Sequence, residues 1–161
     1  MDETKKDEVC CPKFDPTGWD GKTITWQDKK FVKAKVFTLF YIPLNYGSAM
    51  ERIDKDVTAV GYKSPDGFCL SDATSMWNTD LYYAVDKEIP GLENTTLSGK
   101  YICKVYEGDF SKTGDWMKSF QEFVTSEKLK IKKQYSWYTT CPKCAKKYGK
   151  NYVVLFGELV L

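Results

Sequence analysis

Twice along this chain a β-rich run ends near an aromatic residue, breaks at a glycine-containing turn and gives way to an amphipathic helix. That repeated order restricts the fold more than any other feature. The first run is "KAKVFTLFYI" at 33–42, followed by Pro43, Asn45 and Gly47. Met50, Ile53, Val57 and Val60 then recur at helical spacing, which predicts a helix over 48–60. The second run is "KYICKVYEG" at 100–108, broken by "GDFSKTG". Trp116, Phe120, Phe123 and Val124 lie at i, i+4, i+7 and i+8, predicting a helix over 112–127. Strands are predicted after each helix, at 79–86 in the first half and at 134–140 and 151–161 in the second. Aligning "LFYIPLNYG" with "CKVYEGDFS" brings Tyr41 and Tyr106 to equivalent strand ends. The order of elements, more than residue identity, argues for two related halves.

Aromatic residues make up 16% of the 161 residues, with 11 Tyr, 9 Phe and 5 Trp. Strand alternation must divide them between two faces: Tyr101 lies opposite Tyr106, and Trp137 opposite Tyr138. Helices cover one face, so the other is expected to carry several rings and to suit flat apolar ligands. Tyr41, Tyr106 and Trp137 are the first candidates for that surface, with Trp77 and Tyr152 behind them.

Charge and missing residue types remove other functions. The chain has no histidine, which excludes His-based triads, His general bases, Cys₂His₂ zinc sites and His-ligated haem. Arg52 is the sole arginine among 24 basic residues, and 22 acids offset them to a net charge of +2. Without the planar fork of arginine or a cationic excess, specific nucleic-acid binding is not expected. The start, "MDETKKDEV", lacks the apolar centre of a signal peptide, and no run is long enough to span a membrane. A cytoplasmic location is expected, which makes the Asn94-Thr95-Thr96 sequon a chance match. Residues 1–30 are polar and punctuated by Pro12, Pro16, Gly18 and Gly21. They read as an irregular arm anchored to a 31–161 body by Trp19 and Trp26.

The stretch "SGKYICKVYEGDFSKTGDWMKSFQEFV" supports a resemblance. Gly99-x-Tyr101, then Glu107-Gly108-Asp109-Phe110, then Trp116 follow the order found in gyrase-inhibitor-like (GyrI-like) small-molecule-binding domains. "YSWYTTCP" and "YVVLFGEL" are similar to that family's last two strands. The resemblance is closest over 99–161. It implies an α+β fold in which two β-α-β-β halves form a curved antiparallel sheet around a concave pocket, backed by two helices. No helix-turn-helix segment precedes the domain, so a stand-alone member is expected. The resemblance implies binding of small, flat, largely hydrophobic or aromatic molecules, xenobiotics or metabolites, without a cofactor. A subset of the family that resembles hydrolases of cyclopropane-containing alkylators implies a second function: hydrolysis of strained electrophiles in the same aromatic cage. Relatives often carry a pocket glutamate early in the last strand, where this chain has Tyr152, and that departure counts against a preference for cations.

With no histidine, Glu107 and tyrosine hydroxyls are the leading proton-transfer candidates, ahead of Asp80 and Glu158. Glu107 is either a surface carboxylate at a strand end or a pocket acid with a raised pKa. Cys141 and Cys144 form a CxxC pair in the segment between the last two strands. Cys10 and Cys11 could complete a Cys₄ zinc site only if the arm folds back, and adjacent cysteines chelate one metal awkwardly. That leaves a zinc-stabilised interaction protein, a redox site, or a tight loop at Pro142 whose thiols pack locally. The local loop is the simplest of the three, so no metal is expected.

Overall fold

The computed structural model describes residues 14–39, 42–43, 46–59, 61, 69–73, 78–139, 149 and 151–160. The first half runs β1 (Thr23–Leu39), a two-residue β2 (Ile42–Pro43), α1 (Tyr46–Ala59), β3 (Cys69–Ala73) and β4 (Asn78–Ala84). The second half repeats the order as β5 (Glu93–Glu107), α2 (Thr113–Ser126), β6 (Ile131–Tyr138) and β7 (Tyr152–Leu159). The expected β-α-β-β duplication is present, and the two helices lie within two residues of the expected bounds.

The sheet, however, is not an open curved one. Its strands run β1-β4-β3-β6-β7-β5, and β5 pairs again with β1, so six antiparallel strands close into a barrel. The physical cause is strand length. β1 has 17 residues and serves two neighbours, pairing through Phe31–Phe37 with β4 and through Thr23–Lys33 with β5. The β1–β5 seam carries an irregularity between Trp26 and Lys29, where Asp28 takes a positive φ of 50°. Such bulges increase local twist and help a sheet to curl shut. Residues 23–30 therefore belong to the barrel, although their polar sequence reads as part of the arm.

The two halves meet like to like. β1 pairs with β5, and β3 meets β6 at Ser71 and Ser136, which relates the halves by an approximate two-fold. Each helix covers the outer surface of its own half. Ile53 and Val57 of α1 pack on Val32, Val36, Leu81 and Tyr83. Trp116, Phe120 and Val124 of α2 pack on Ile102, Val153 and Leu155.

Two of the motif glycines have a conformational reason. Gly99 has φ +128° beside the Tyr101 ring, and Gly108 has φ +141° with Trp116 3.4 Å from where a Cβ would stand. Both backbone conformations strain any residue with a side chain. The two glycines thus bracket the part of β5 that faces the site.

Candidate functional site

The inner face of the barrel is built by alternation. Phe31 of β1, Leu70 of β3, Tyr82 of β4, Tyr101 and Cys103 of β5, Tyr135 and Trp137 of β6, and Val154 and Phe156 of β7 form one buried cluster. All six barrel strands contribute to it, and it lies on the strand faces turned away from both helices.

In the second half, strand register stacks this face in rows. Glu107 pairs with Tyr152 at one end. Val105, Val154 and Trp137 form the next row, then Cys103, Phe156 and Tyr135, then Tyr101, Glu158 and Lys133. The aromatic end is pinned by side chains. Thr139 Oγ1 donates to the Tyr152 carbonyl at 2.7 Å, and Asn151 Nδ2 donates to the Gly108 carbonyl at 2.9 Å. Rings from the segment before β1 complete this end. Phe14 and Trp19 both meet Trp137, at centroid distances of 5.4 and 5.2 Å.

Beyond the row of Cys103, Phe156 and Tyr135, the same face turns polar. Asp72 and Asp80 are cross-strand partners on β3 and β4, and both are buried. Each has its own lysine from the flanking strand: Lys133 Nζ lies 2.8 Å from Asp72, and Lys33 Nζ lies 3.6 Å from Asp80. Glu158 pairs with Lys132 at 3.3 Å. The four lysine and aspartate residues form a ladder across β6, β3, β4 and β1, in which the two buried carboxylates are compensated by lysines that reach solvent. Lys33 also lies over the Tyr82 ring, and Lys133 over the Tyr135 ring.

This setting tunes the phenols. Burial, reinforced by the charge of Glu158, pushes the Tyr101 hydroxyl up to about 12. Burial raises Tyr135 further, helped by Tyr82, Glu158, Tyr101 and Asp72. Both hydroxyls therefore stay protonated at neutral pH, and that of Tyr101 donates to the Ser98 carbonyl at 3.3 Å. Burial works against the Lys133 ammonium, but Asp72 and then Tyr82 more than offset it and hold its pKa above the ordinary lysine value. The Cys103 thiol is pushed up to about 12 by burial, which leaves it inert as a nucleophile at neutral pH.

The fold separates the residues singled out from sequence. Trp137 and Tyr152 lie at the aromatic end of the inner face. Glu107 shares their face through its pairing with Tyr152, but it is exposed at the strand terminus. Tyr106 is a correction: strand parity turns it outward under α2, where it stacks on Trp116 at 6.1 Å. Burial raises the pKa of its hydroxyl, an effect that Ser119 partly offsets. Asp80 and Glu158, ranked behind Glu107, have buried or nearly buried side chains on the inner face, as does Asp72.

Tyr41, Trp77, Cys10, Cys11, Cys141 and Cys144 lie outside the described residues. Among the described residues, no three His, Cys, Asp or Glu side chains gather as a metal site. No described helix is long and apolar enough to cross a membrane. Sequence reasoning missed Tyr135, Phe156, Phe14 and Asp72. Counting in twos from Trp137 and Tyr152 would have found the first two.

The fold is shared with solved structures at low identity. An uncharacterised conserved protein from Listeria innocua superposes with a TM-score of 0.60 at 12% identity, covering 88% of this chain and 94% of that one. A hydrolase encoded by lin2189 from Listeria innocua gives 0.55 at 12%, covering 98% and 96%. SAV2435, solved bound to tetraphenylphosphonium, gives 0.52 at 13%, covering 86% and 93%. No curated protein matches the chain. The bacterial hydrolase family model matches residues 1–159, so the chain belongs to the bacterial hydrolase family.

Proposed function

We propose that the protein binds small, flat, largely hydrophobic or aromatic molecules inside the barrel, held by Trp137 and Tyr152, as expected of a GyrI-like domain. The observation that carries this reading is the inner cluster, in which every barrel strand supplies an apolar or aromatic side chain to one face. A face so rich in rings, with a few polar groups at its far end, is the usual composition of a small-molecule site. The tetraphenylphosphonium held by the similar SAV2435 is itself four phenyl rings on one centre, which supports rings as the recognised chemistry. The charge of that ligand does not carry over. Asp72, Asp80 and Glu158 each have their own lysine, so the polar rows carry no spare negative charge and favour neutral ligands.

Hydrolysis of a strained electrophile is the second reading, favoured by the family and by one arrangement of groups. Tyrosine hydroxyls that stay protonated stand in the same row as Glu158 or in the row next to it, directly behind the aromatic end. A carboxylate there takes a proton from water as the water oxygen attacks the electrophilic carbon, and a tyrosine donates a proton to the group released. Glu107 is the acid at the mouth, placed to meet a ligand resting on Tyr152.

Tryptophan fluorescence titration with neutral planar dyes tests the binding reading. Trp137→Leu should weaken binding about tenfold, since a lost stacking contact costs on the order of 1 kcal/mol. No response across a panel of neutral and cationic planar compounds would sink it. Mass analysis of a cyclopropane-containing alkylator after incubation tests hydrolysis. Loss of turnover in Glu107→Gln with retained binding assigns the proton to the mouth, and loss only in Glu158→Gln assigns it to the interior.

A further inference from the structure

Phe14 occupies the aromatic end as a ligand ring would. Its centroid stands 5.4 Å from Trp137 at 85°, an edge-to-face contact, and 5.5 Å from Tyr152 at 50°. These are the two residues on which the proposed function depends. Trp19 makes similar contacts, 5.2 Å from Trp137 and 5.9 Å from Phe156, but the chain holds the two rings differently.

Trp19 leads directly into a stitched segment. The Gly21 amide donates to the Cys103 carbonyl at 2.9 Å, and the Cys103 amide donates to the Lys22 carbonyl at 2.8 Å. Asp20 accepts from the Val105 amide at 3.1 Å and pairs with Lys104 at 3.3 Å. Those bonds extend the β1–β5 ladder and make Trp19 a fixed wall. Phe14 lies on the far side of the 3₁₀ turn Pro16–Gly18, whose cap is the exposed Asp15 bonded to Thr17. Phe14 reaches the barrel through its half-buried ring.

We propose that the Phe14 side chain is a built-in occupant of the ligand seat between Trp137 and Tyr152, displaced by an uncharged aromatic ring of similar size. This rests on the barrel interior being the binding site, and it sharpens the ligand class. The seat accepts a phenyl-sized neutral ring edge-on to Trp137, with Trp19 and Phe156 closing the inner side. The displacement leaves the chain from Asp20 onward in place, because the bonds at Asp20–Lys22 hold it. A ligand must first displace Phe14, so its apparent affinity falls by the fraction of molecules in which the seat stands open.

The test uses the full chain and the neutral fluorescent probe N-phenyl-1-naphthylamine. Phe14→Ala should bind it about tenfold more tightly than the native protein, because the competing ring contacts are gone. Phe14→Leu, which keeps apolar bulk without a ring, should fall between the two. Adding Trp137→Leu should remove the gain. Melting curves confirm that each variant is folded. If the native protein binds the probe and Phe14→Ala binds it equally or less well, Phe14 is a wall of the site and the occupant proposal is overturned. If neither binds, the reading of the barrel interior as a ligand site falls, and this proposal with it.

Discussion

The sheet formed by β5, β7 and β6 presents aromatic residues on both faces, and the two faces treat them differently. On the outer face, Trp116 and Phe120 of α2 are driven into Ile102, Val153 and Leu155 under a continuous helix. On the inner face, Trp137 and Phe156 meet rings from a segment that crosses the barrel end, and the row beyond them is charged. The same residue types thus pack beneath a helix on one side and against a crossing segment and charged rows on the other. Composition cannot tell these apart; strand parity does. Tyr106 and Trp137 illustrate it, since one is half-buried beneath a helix and the other faces the barrel interior.

The largest test of this contrast falls on Phe120, which is fully buried under α2. Phe120→Ala should cost about 3–5 kcal/mol, as large cavities in a sealed core usually do. Urea unfolding would measure it. Probe binding by the molecules that remain folded should be nearly unchanged, because the cavity opens on the outer face. A variant that keeps its stability but loses binding would erase the distinction between the faces.

Gly157 offers a smaller break of the same kind. A Cβ there would stand 2.6 Å from Ile131 Cγ2 and 3.2 Å from both Ile102 Cγ2 and the Phe120 ring. The glycine is what lets β7 approach the α2 layer so closely. Gly157→Ala should therefore destabilise by about 1–3 kcal/mol through overpacking. Gly157→Ala combined with Ile131→Val, which trims the nearest side chain, should recover part of the loss. No recovery would show that the strain is taken up elsewhere.

The helices and the second-half strands are legible in the sequence because their apolar residues repeat at clean periods and turn residues mark their ends. Three features are hidden, each for a physical reason. β3, "CLSDA", is short, and it commits Asp72 to an interior ion pair, so it carries no hydrophobic run. The first part of β1, "TITWQDKK", shows only Ile24 and Trp26 to the cluster and exposes Thr23, Thr25 and Gln27. Closure of the barrel depends on pairing residues about 70 positions apart, as in Trp26 with Gly99, and local patterns do not report such contacts. Matching Tyr106 to Tyr41 as a strand end misplaces it, whereas counting in twos from Tyr101 puts it on the opposite face. Asp80 and Glu158 are visible as acids near strands. What ranks them above Glu107 for burial is the register that turns them inward, and only the fold supplies that.

The smallest expected effect lies at high pH and separates the two faces by their titrating groups. Cys103 and Tyr101 on the inner face are raised from about 9 and 10 to about 12, chiefly by burial, and Tyr135 is raised further. Under the helices, burial raises the Cys69 thiol to about 12 and lifts Tyr138. In each case the unfolded chain loses its proton first. Between about pH 9 and 12 the folded state therefore binds more protons than the unfolded one, and stability falls as pH rises. Below about pH 9 these groups contribute no slope. Melting temperature followed from pH 8 to 11 should be flat at first and then decline. Phenolate absorbance near 295 nm should lag behind that of the denatured chain over the same range. A bound neutral aromatic ligand should deepen the lag if it shields Tyr101 and Tyr135 from water. Tyr138, on the face beneath α2, should titrate the same with and without it, and Tyr101→Phe should remove a share of the ligand-dependent difference. If the ligand leaves the phenolate curve unchanged while fluorescence reports binding, the ligand stays at the mouth with Tyr152, and the tyrosines of the polar rows play no part in holding it.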